Sequence, residues 1–329
     1  MTTNNRIIYT KPGGIDSLKL IEEPIPVAGA NEVLIKVSAV GVAYGDVLLR
    51  VGVIPGFKFP VTPGYDIVGN IVAIGPGATK FKAGDYVGSY CGTGGYTTYI
   101  CLLESKLVTV PDHLTPAEAV VAILNYTTAY ELLIKVAGLK AGDSALMHGA
   151  AGGVGTAVLQ LAKIYGIKIY GTVSTAKIPI VEKEGGIPID YTKKDFVKEI
   201  KRLTGKGVDA VFDPISGTHL FRSDKVLNAK GTLIWFGASS TVAGEGNPIL
   251  KLIKSLIPYL LLKLTPSGKH YKLLTKTTGV NEDIATMFKL LGERKIKPII
   301  AKIFPLKEAA KAQTMLEKER PVGKIILEP

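Results

Sequence analysis

The segment ALMHGAAGGVGTAVLQLAK (145–163) sets four glycines, Gly149, Gly152, Gly153 and Gly155, between an apolar run and a stretch with helical spacing. Glycine lets the backbone take positive φ and lets a helix start come close to a bulky anion. The N–H groups of Gly152, Gly153, Val154 and Gly155 would then point, with the positive end of the helix dipole, at a phosphate. Ala150 stands where a strict G-x-G-x-x-G spacing has its first glycine. The weight therefore comes from context: a strand pattern before, a helix pattern after and βα alternation beyond. The competing reading is a glycine-rich turn that holds no ligand.

A dinucleotide site is completed at the end of the following strand. NAD sites place Asp or Glu there to hold the ribose 2′-hydroxyl. Here YGTVSTAK carries Ser174, Thr175 and Lys177, and no acid stands between Asp143 and Glu182. Hydroxyls and an ammonium suit a 2′-phosphate, which a carboxylate would repel. The sequence predicts NADPH as cofactor; the competing reading of Lys177 is a solvated surface lysine. No metal site is expected. His113, His148, His219 and His270 are scattered without ligand spacing, and Cys91 and Cys101 have no C-x-x-C partner.

These residues need elements to hold them. To about residue 120 the chain reads as strands and turns, with EVLIKVSAVGV (32–42) and YDIVGNIVAIG (65–75) as the clearest strands and a short helix near Asp46–Gly52. Thr115, Pro116 and Glu118 mark a helix start. From there strands and helices alternate, which predicts right-handed βαβ units and a doubly wound parallel sheet. The tail returns to helix, arm, helix and strand. The expected partition is a β-rich domain of residues 1–122 and 268–329, with a nucleotide-binding domain of residues 123–267 inserted.

The 329 residues are 47% hydrophobic and 21% charged, which excludes a disordered chain. The net charge of +12 favours anionic partners: phosphate-bearing cofactors, acidic membrane surfaces or nucleic acid. No aromatic RNA-binding motif or arginine-rich run supports nucleic acid. Two cysteines and the lack of an apolar leader pattern fit a reduced, cytoplasmic setting. The most apolar stretch, Pro248–Leu264, is interrupted by Lys251, Lys254, Pro258 and Lys263 and is too short to span a bilayer. It is either an interfacial helix at a membrane surface or a segment closing the substrate pocket or a dimer edge.

HGAAGGVGTAVLQLAKIYG, NYTTAYELL, PVTPGYDIVGNIVAIG, FKAGDYV and VGKIIL together, in order and over nearly the whole chain, resemble the medium-chain dehydrogenase/reductase superfamily. The resemblance is strongest to its zinc-independent quinone oxidoreductase branch, with zeta-crystallin-like and VAT-1-like proteins. It implies an α/β protein with a GroES-like β-barrel catalytic domain, a Rossmann domain and an active site in the cleft between them. The positions matching the catalytic zinc ligands of the alcohol dehydrogenases are Ala43, Tyr65 and Leu124. The resemblance places Tyr44, Asp46, Tyr65, Asn125 and Thr128 near the nicotinamide, Tyr191 beside the adenosine phosphate, and Phe236, Gly237 and Ser239 along the cofactor. The family's Asn-aromatic-x-Asp pattern has Ala43 in place of Asn, with Tyr44 and Asp46 matching. Asp46 is either part of the chemistry or a helix cap or partner of Arg50, and Tyr65 either a hydrogen-bond donor or packing. The implied activity is NADPH-dependent reduction of quinones or conjugated carbonyls by a homodimer. The alternatives are a membrane- or lipid-associated VAT-1-like protein that keeps NADPH with little activity, and an RNA-binding protein.

Overall fold

The computed structural model describes residues 3–242, 246–274 and 280–329. Its strands are β1 (Thr3–Tyr9), β2 (Leu18–Pro24), β3 (Glu32–Val42), β4 (Asp66–Ile74), β5 (Tyr86–Tyr90), β6 (Tyr99–Leu103), β7 (Val108–Thr109), β8 (Ser144–His148), β9 (Lys168–Val173), β10 (Ile187–Asp190), β11 (Val208–Asp213), β12 (Leu227–Trp235), β13 (His270–Leu273), β14 (Ile300–Pro305) and β15 (Lys324–Glu328). The chain divides into Met1–Thr127 with Gly279–Pro329, and Thr128–Thr278.

In the first unit the β-branched run of β3 forms the centre of a seven-stranded sheet ordered β14-β15-β3-β4-β5-β7, with β6 also paired to β3. The pairs made by β3 and β4 are antiparallel, and β14 and β15 run parallel. Val33, Ile35, Ile67, Ile71, Ile325 and Leu327 are buried together as its core. Tyr65 immediately precedes β4, and the helix Tyr44–Arg50 follows β3, so this sheet places both candidate tyrosines. This sheet is the β-rich unit that the resemblance reads as GroES-like.

The second unit has six parallel strands ordered β10-β9-β8-β11-β12-β13. Counted within the domain this is 3-2-1-4-5-6, the doubly wound Rossmann order, with its switch point between β8 and β11. β13 carries the sheet beyond residue 267, where the sequence partition set the boundary. HYKL has charged or polar residues and is largely exposed, so it lacks the apolar signal of a sheet strand. At the other end, residues 123–127 group with the first unit. Leu227–Lys230 open β12. Pro179, out of place inside a helix, sits in the first turn of Ile178–Lys183, where its missing N–H has no partner to lose.

Among the described residues one helix, Pro116–Val136, is long and apolar enough to cross a membrane by length and composition, and 67% of its most apolar window is buried within the protein. Thr115 caps it by accepting from the Glu118 N–H. Its stretches Ala122–Tyr126 and Glu131–Val136 are π-helical.

Candidate functional site

At the tip of β8 the chain turns through Gly149, at φ +71°, into the helix Gly153–Tyr165. Gly152, Gly153 and Val154 are half-buried at the start of that helix, while Gly155 is buried. The first N–H groups of a helix have no intrahelical partner and so remain available to an anion. Gly155 is dictated by packing: a Cβ there would lie 2.5 Å from the Gly149 carbonyl oxygen and 2.6 Å from the carbonyl of Ala150. These are backbone atoms, and the cradle closes only around glycine.

Ser174 and Lys177, both half-buried, follow β9 in a single 3₁₀ turn. The tertiary structure adds a group that linear reading missed. β10 pairs with β9 in register Asp190↔Val173, which brings the Asp190 carboxylate beside Thr175. Asp190 accepts from the hydroxyls of Thr175 and Thr192 and from the Thr192 N–H at 3.0 Å. Those hydrogen bonds, the Thr175 hydroxyl foremost, hold its carboxyl below the ordinary carboxylate range. The segment after β9 is free of acids in sequence but not in space: Asp190 is near, bound to two threonines. It braces the turn that carries Lys177. Tyr191, next to it, is exposed.

Two loops pack beyond the tips of β11 and β12. The N–H groups of Ser239 and Ser240 donate to the carbonyls of Pro214 and Ile215 at 3.1 and 3.0 Å. Phe236, Gly237 and Ser239 are half-buried along this edge. Thr128, half-buried, opens the Rossmann unit.

In the GroES-like unit, Tyr44 is half-buried at the first position of its helix, and burial raises its phenol. Tyr65 lies against Gly45, where a Cβ would come within 2.9 Å of the phenol ring and hydroxyl. Burial, reinforced by the Asp46 charge, pushes the Tyr65 phenol well above its ordinary value. Asp46 is fully buried. Its Oδ2 accepts from the Ala43 N–H at 2.8 Å and the Tyr96 hydroxyl at 3.0 Å, and its Oδ1 from the Gly64 N–H at 2.9 Å. Burial pushes its carboxyl up to about 6 against the pull of those two N–H groups. Asp46 thus ties the start of the Tyr44 helix to the residue before Tyr65, which makes it a positioning group. Arg50, its other candidate partner, pairs with Glu317 at 2.7 Å.

The alcohol dehydrogenase GroES-like domain family matches residues 29–112, and the zinc-binding dehydrogenase family matches residues 187–327. The Rattus norvegicus synaptic vesicle membrane protein VAT-1 homolog is 31% identical over 98% of this chain and 83% of its own length. Homo sapiens quinone oxidoreductase is 31% identical over 96% of this chain and 94% of its own. The chain belongs to the medium-chain dehydrogenase/reductase superfamily. The solved structure of Escherichia coli quinone oxidoreductase complexed with NADPH shares the fold at a TM-score of 0.86 and 27% identity, covering 99% of this chain and 100% of that one.

One of the two superfamily families is described by its zinc, and the donor set here does not fit that ion. Ala43 and Leu124 have no donor atom, and Tyr65 is a phenol whose ionisation burial opposes. Ligand-type atoms do gather once among the described residues: His148, Asp213 and His219 lie within 4.8 Å of one another. The Ser223 hydroxyl already sits among them, 2.7 Å from Asp213 Oδ2, 3.1 Å from His148 Nε2 and 3.4 Å from His219 Nδ1. Burial pushes the His148 imidazole down to about 3. This is a hydrogen-bond network at the carboxyl ends of β8 and β11. Sequence reasoning also missed Lys324 and Asp66, which join Asn125, and Tyr96, which donates to Asp46. Lys324 falls in the VGKIIL segment, whose lysine carried no signal of burial.

Proposed function

We propose that the chain is an NADPH-dependent, metal-free reductase of quinones or α,β-unsaturated carbonyls. The donor set at 43, 65 and 124 carries the reading: one protonated phenol and no metal ligand. The glycine cradle fits the cofactor's pyrophosphate, with Gly153, Val154 and Gly155 as its N–H donors; the Gly152 N–H, expected among them, is instead donated to the Gly149 carbonyl at 2.9 Å and shapes the turn. Ser174 and Lys177 hold the 2′-phosphate, and Tyr191, Phe236, Gly237, Ser239, Asn125 and Thr128 complete the cofactor contacts. Bound NADPH supplies a hydride. Tyr65 and Tyr44, kept protonated by burial, donate hydrogen bonds to the substrate oxygen as it gains negative charge. A conjugated acceptor suits such donors, because its charge spreads over the π-system. A simple alcohol needs its hydroxyl acidified, which a metal achieves and a phenol does not. The human and Escherichia coli quinone oxidoreductases support this substrate class by their names.

The test is NADPH oxidation against a panel of quinones, enones, enals and simple alcohols, with zinc measured in the same preparation. Turnover of a conjugated acceptor without stoichiometric zinc, and unaffected by chelator, is expected. Ethanol oxidised as fast as any enone is reduced, or activity lost to chelator, defeats the reading.

A second reading, peripheral contact with an anionic membrane, is favoured by the helix Pro248–Leu264. Leu250, Ile253, Ile257, Leu260, Leu261 and Leu264 share an exposed face, while Ser255, Pro258 and Leu262 are buried. Lysines border it, and no acid occurs from 246 to 281. An apolar face rimmed by cations suits the boundary of an anionic bilayer. Sedimentation with phosphatidylserine vesicles, lost on Ile253→Glu with Leu260→Glu, checks it; no sedimentation by the wild type ends it.

A further inference from the structure

The GroES-like unit contains a buried ion pair that the proposed reaction does not use. Lys324 Nζ lies 3.3 Å from Asp66 Oδ2, with side-chain exposures of 3% and 0%. The same ammonium donates to Asn125 Oδ1 at 3.4 Å. Strand β3 leaves room for this pair at Gly41, where a Cβ would lie 2.4 Å from Lys324 Cε and 2.6 Å from both Asp66 oxygens. Taking an ammonium and a carboxylate out of water is expensive, and an apolar pair of the same volume would pack as well. The arrangement therefore calls for a role beyond stability.

That role follows from the third partner. An ammonium has three donors and no acceptor, so only the oxygen of a carboxamide faces it favourably. Lys324 thereby sets which way round the Asn125 amide sits and turns its NH2 to the opposite side. Asn125 Nδ2 is buried and has no hydrogen-bond partner among the described residues. Folded proteins rarely leave such a donor unused. Asn125 also lies in the π-helical turn Ala122–Tyr126, a widened geometry that recurs at functional sites.

We propose that Lys324, held by Asp66, is a positioning residue that presents the Asn125 NH2 to a carbonyl oxygen of a bound ligand. This rests on the reductase reading, under which two oxygens have that chemistry: the nicotinamide carboxamide and the substrate carbonyl. The fold needs Lys324 only as a buried cation; the ligand needs it to fix the polarity of the amide.

The experiment uses the full chain and three variants: Asn125→Asp, Lys324→Met and Lys324→Arg. Asn125→Asp keeps an acceptor toward Lys324 and replaces the NH2 with a carboxylate oxygen that cannot donate. NADPH affinity is read by fluorescence titration without substrate, and kcat and KM with a quinone. A nicotinamide partner predicts NADPH binding about tenfold weaker in Asn125→Asp and in Lys324→Met, the size of one lost hydrogen bond. A substrate partner predicts unchanged NADPH affinity and kcat/KM about tenfold lower in both. Lys324→Arg keeps a donor-only cation and should stay within about threefold of wild type. A folded Asn125→Asp that matches wild type in both readouts overturns the proposal, even where Lys324→Met fails to fold. A wild type that neither binds NADPH nor reduces a quinone removes the reductase reading and this proposal with it; a wild type that does both, with Asn125→Asp unchanged, removes this proposal alone.

Discussion

Gly155→Ala should separate two glycines that look equivalent in the motif. The added Cβ would sit 2.5 Å from the Gly149 oxygen and 2.6 Å from Ala150 C and O, where ordinary contacts begin at 3.4 Å. The obstructing atoms belong to the turn backbone, so the helix start must withdraw by about 1 Å. An N–H that reached a phosphate oxygen at about 2.9 Å is then beyond hydrogen-bond range. Losing one such charge-assisted bond costs about 1.5–3 kcal/mol, or roughly 10- to 150-fold in Kd for NADPH. Overpacking adds about 1–3 kcal/mol of lost stability. That corresponds to a melting temperature lower by about 2–12 °C for a domain of this size. Gly152→Ala is the control. Its Cβ meets only the Gly149 oxygen at 3.3 Å, and Gly152 has φ −75°, open to any residue. It should bind NADPH within about threefold of wild type, since the Gly152 N–H is turned to the Gly149 carbonyl; losing a glycine cap to alanine lowers stability rather than affinity. Fluorescence titration and thermal melts of both variants decide the matter. A folded Gly155→Ala protein that binds NADPH as tightly as Gly152→Ala would refute the close-packing argument.

Three further outcomes are expected. NADPH should bind at least about tenfold more tightly than NADH, about 1.4 kcal/mol, and Lys177→Ala should narrow that gap; equal affinities in wild type would exclude a 2′-phosphate contact. Tyr65→Phe should lower kcat on an enone more than it raises KM, because its hydrogen bond strengthens as charge develops, and an unchanged kcat would reduce Tyr65 to packing. His148, pushed by burial from 6.5 to about 3, stays neutral in the fold while the unfolded chain takes up a proton below about pH 6.5. Stability from this group is therefore lost as pH falls, by about 2 kcal/mol between pH 7.5 and 5. Urea unfolding at pH 7.5 and 5 should show that loss relative to His148→Gln, and parallel pH dependences in the two proteins would contradict it.

Local pattern was enough for the parts of this protein that depend on neighbours in the chain. The glycine turn, the alternation of β8 to β12 with helices and the Thr115 cap each arise within a few residues, where backbone preference and periodicity act. Ala43 and Leu124 lack donor atoms in any fold, but that they stand at zinc-ligand positions came from the family resemblance and not from local pattern. Strand pairing decided the rest. Asp190 reaches Thr175 because β10 lies beside β9, and Asp46 meets Tyr96, 50 residues on, because β3, β4 and their loops converge. Lys324 joins Asp66 and Asn125 across separations of 258 and 199 residues. None of these polar contacts leaves a periodic trace, since each consists of single side chains brought together by sheet order. The apolar spacing that reveals an element says only which face turns inward. Which charged groups share the interior, and which buried donor is left without a partner among the described residues, is settled when the sheets assemble.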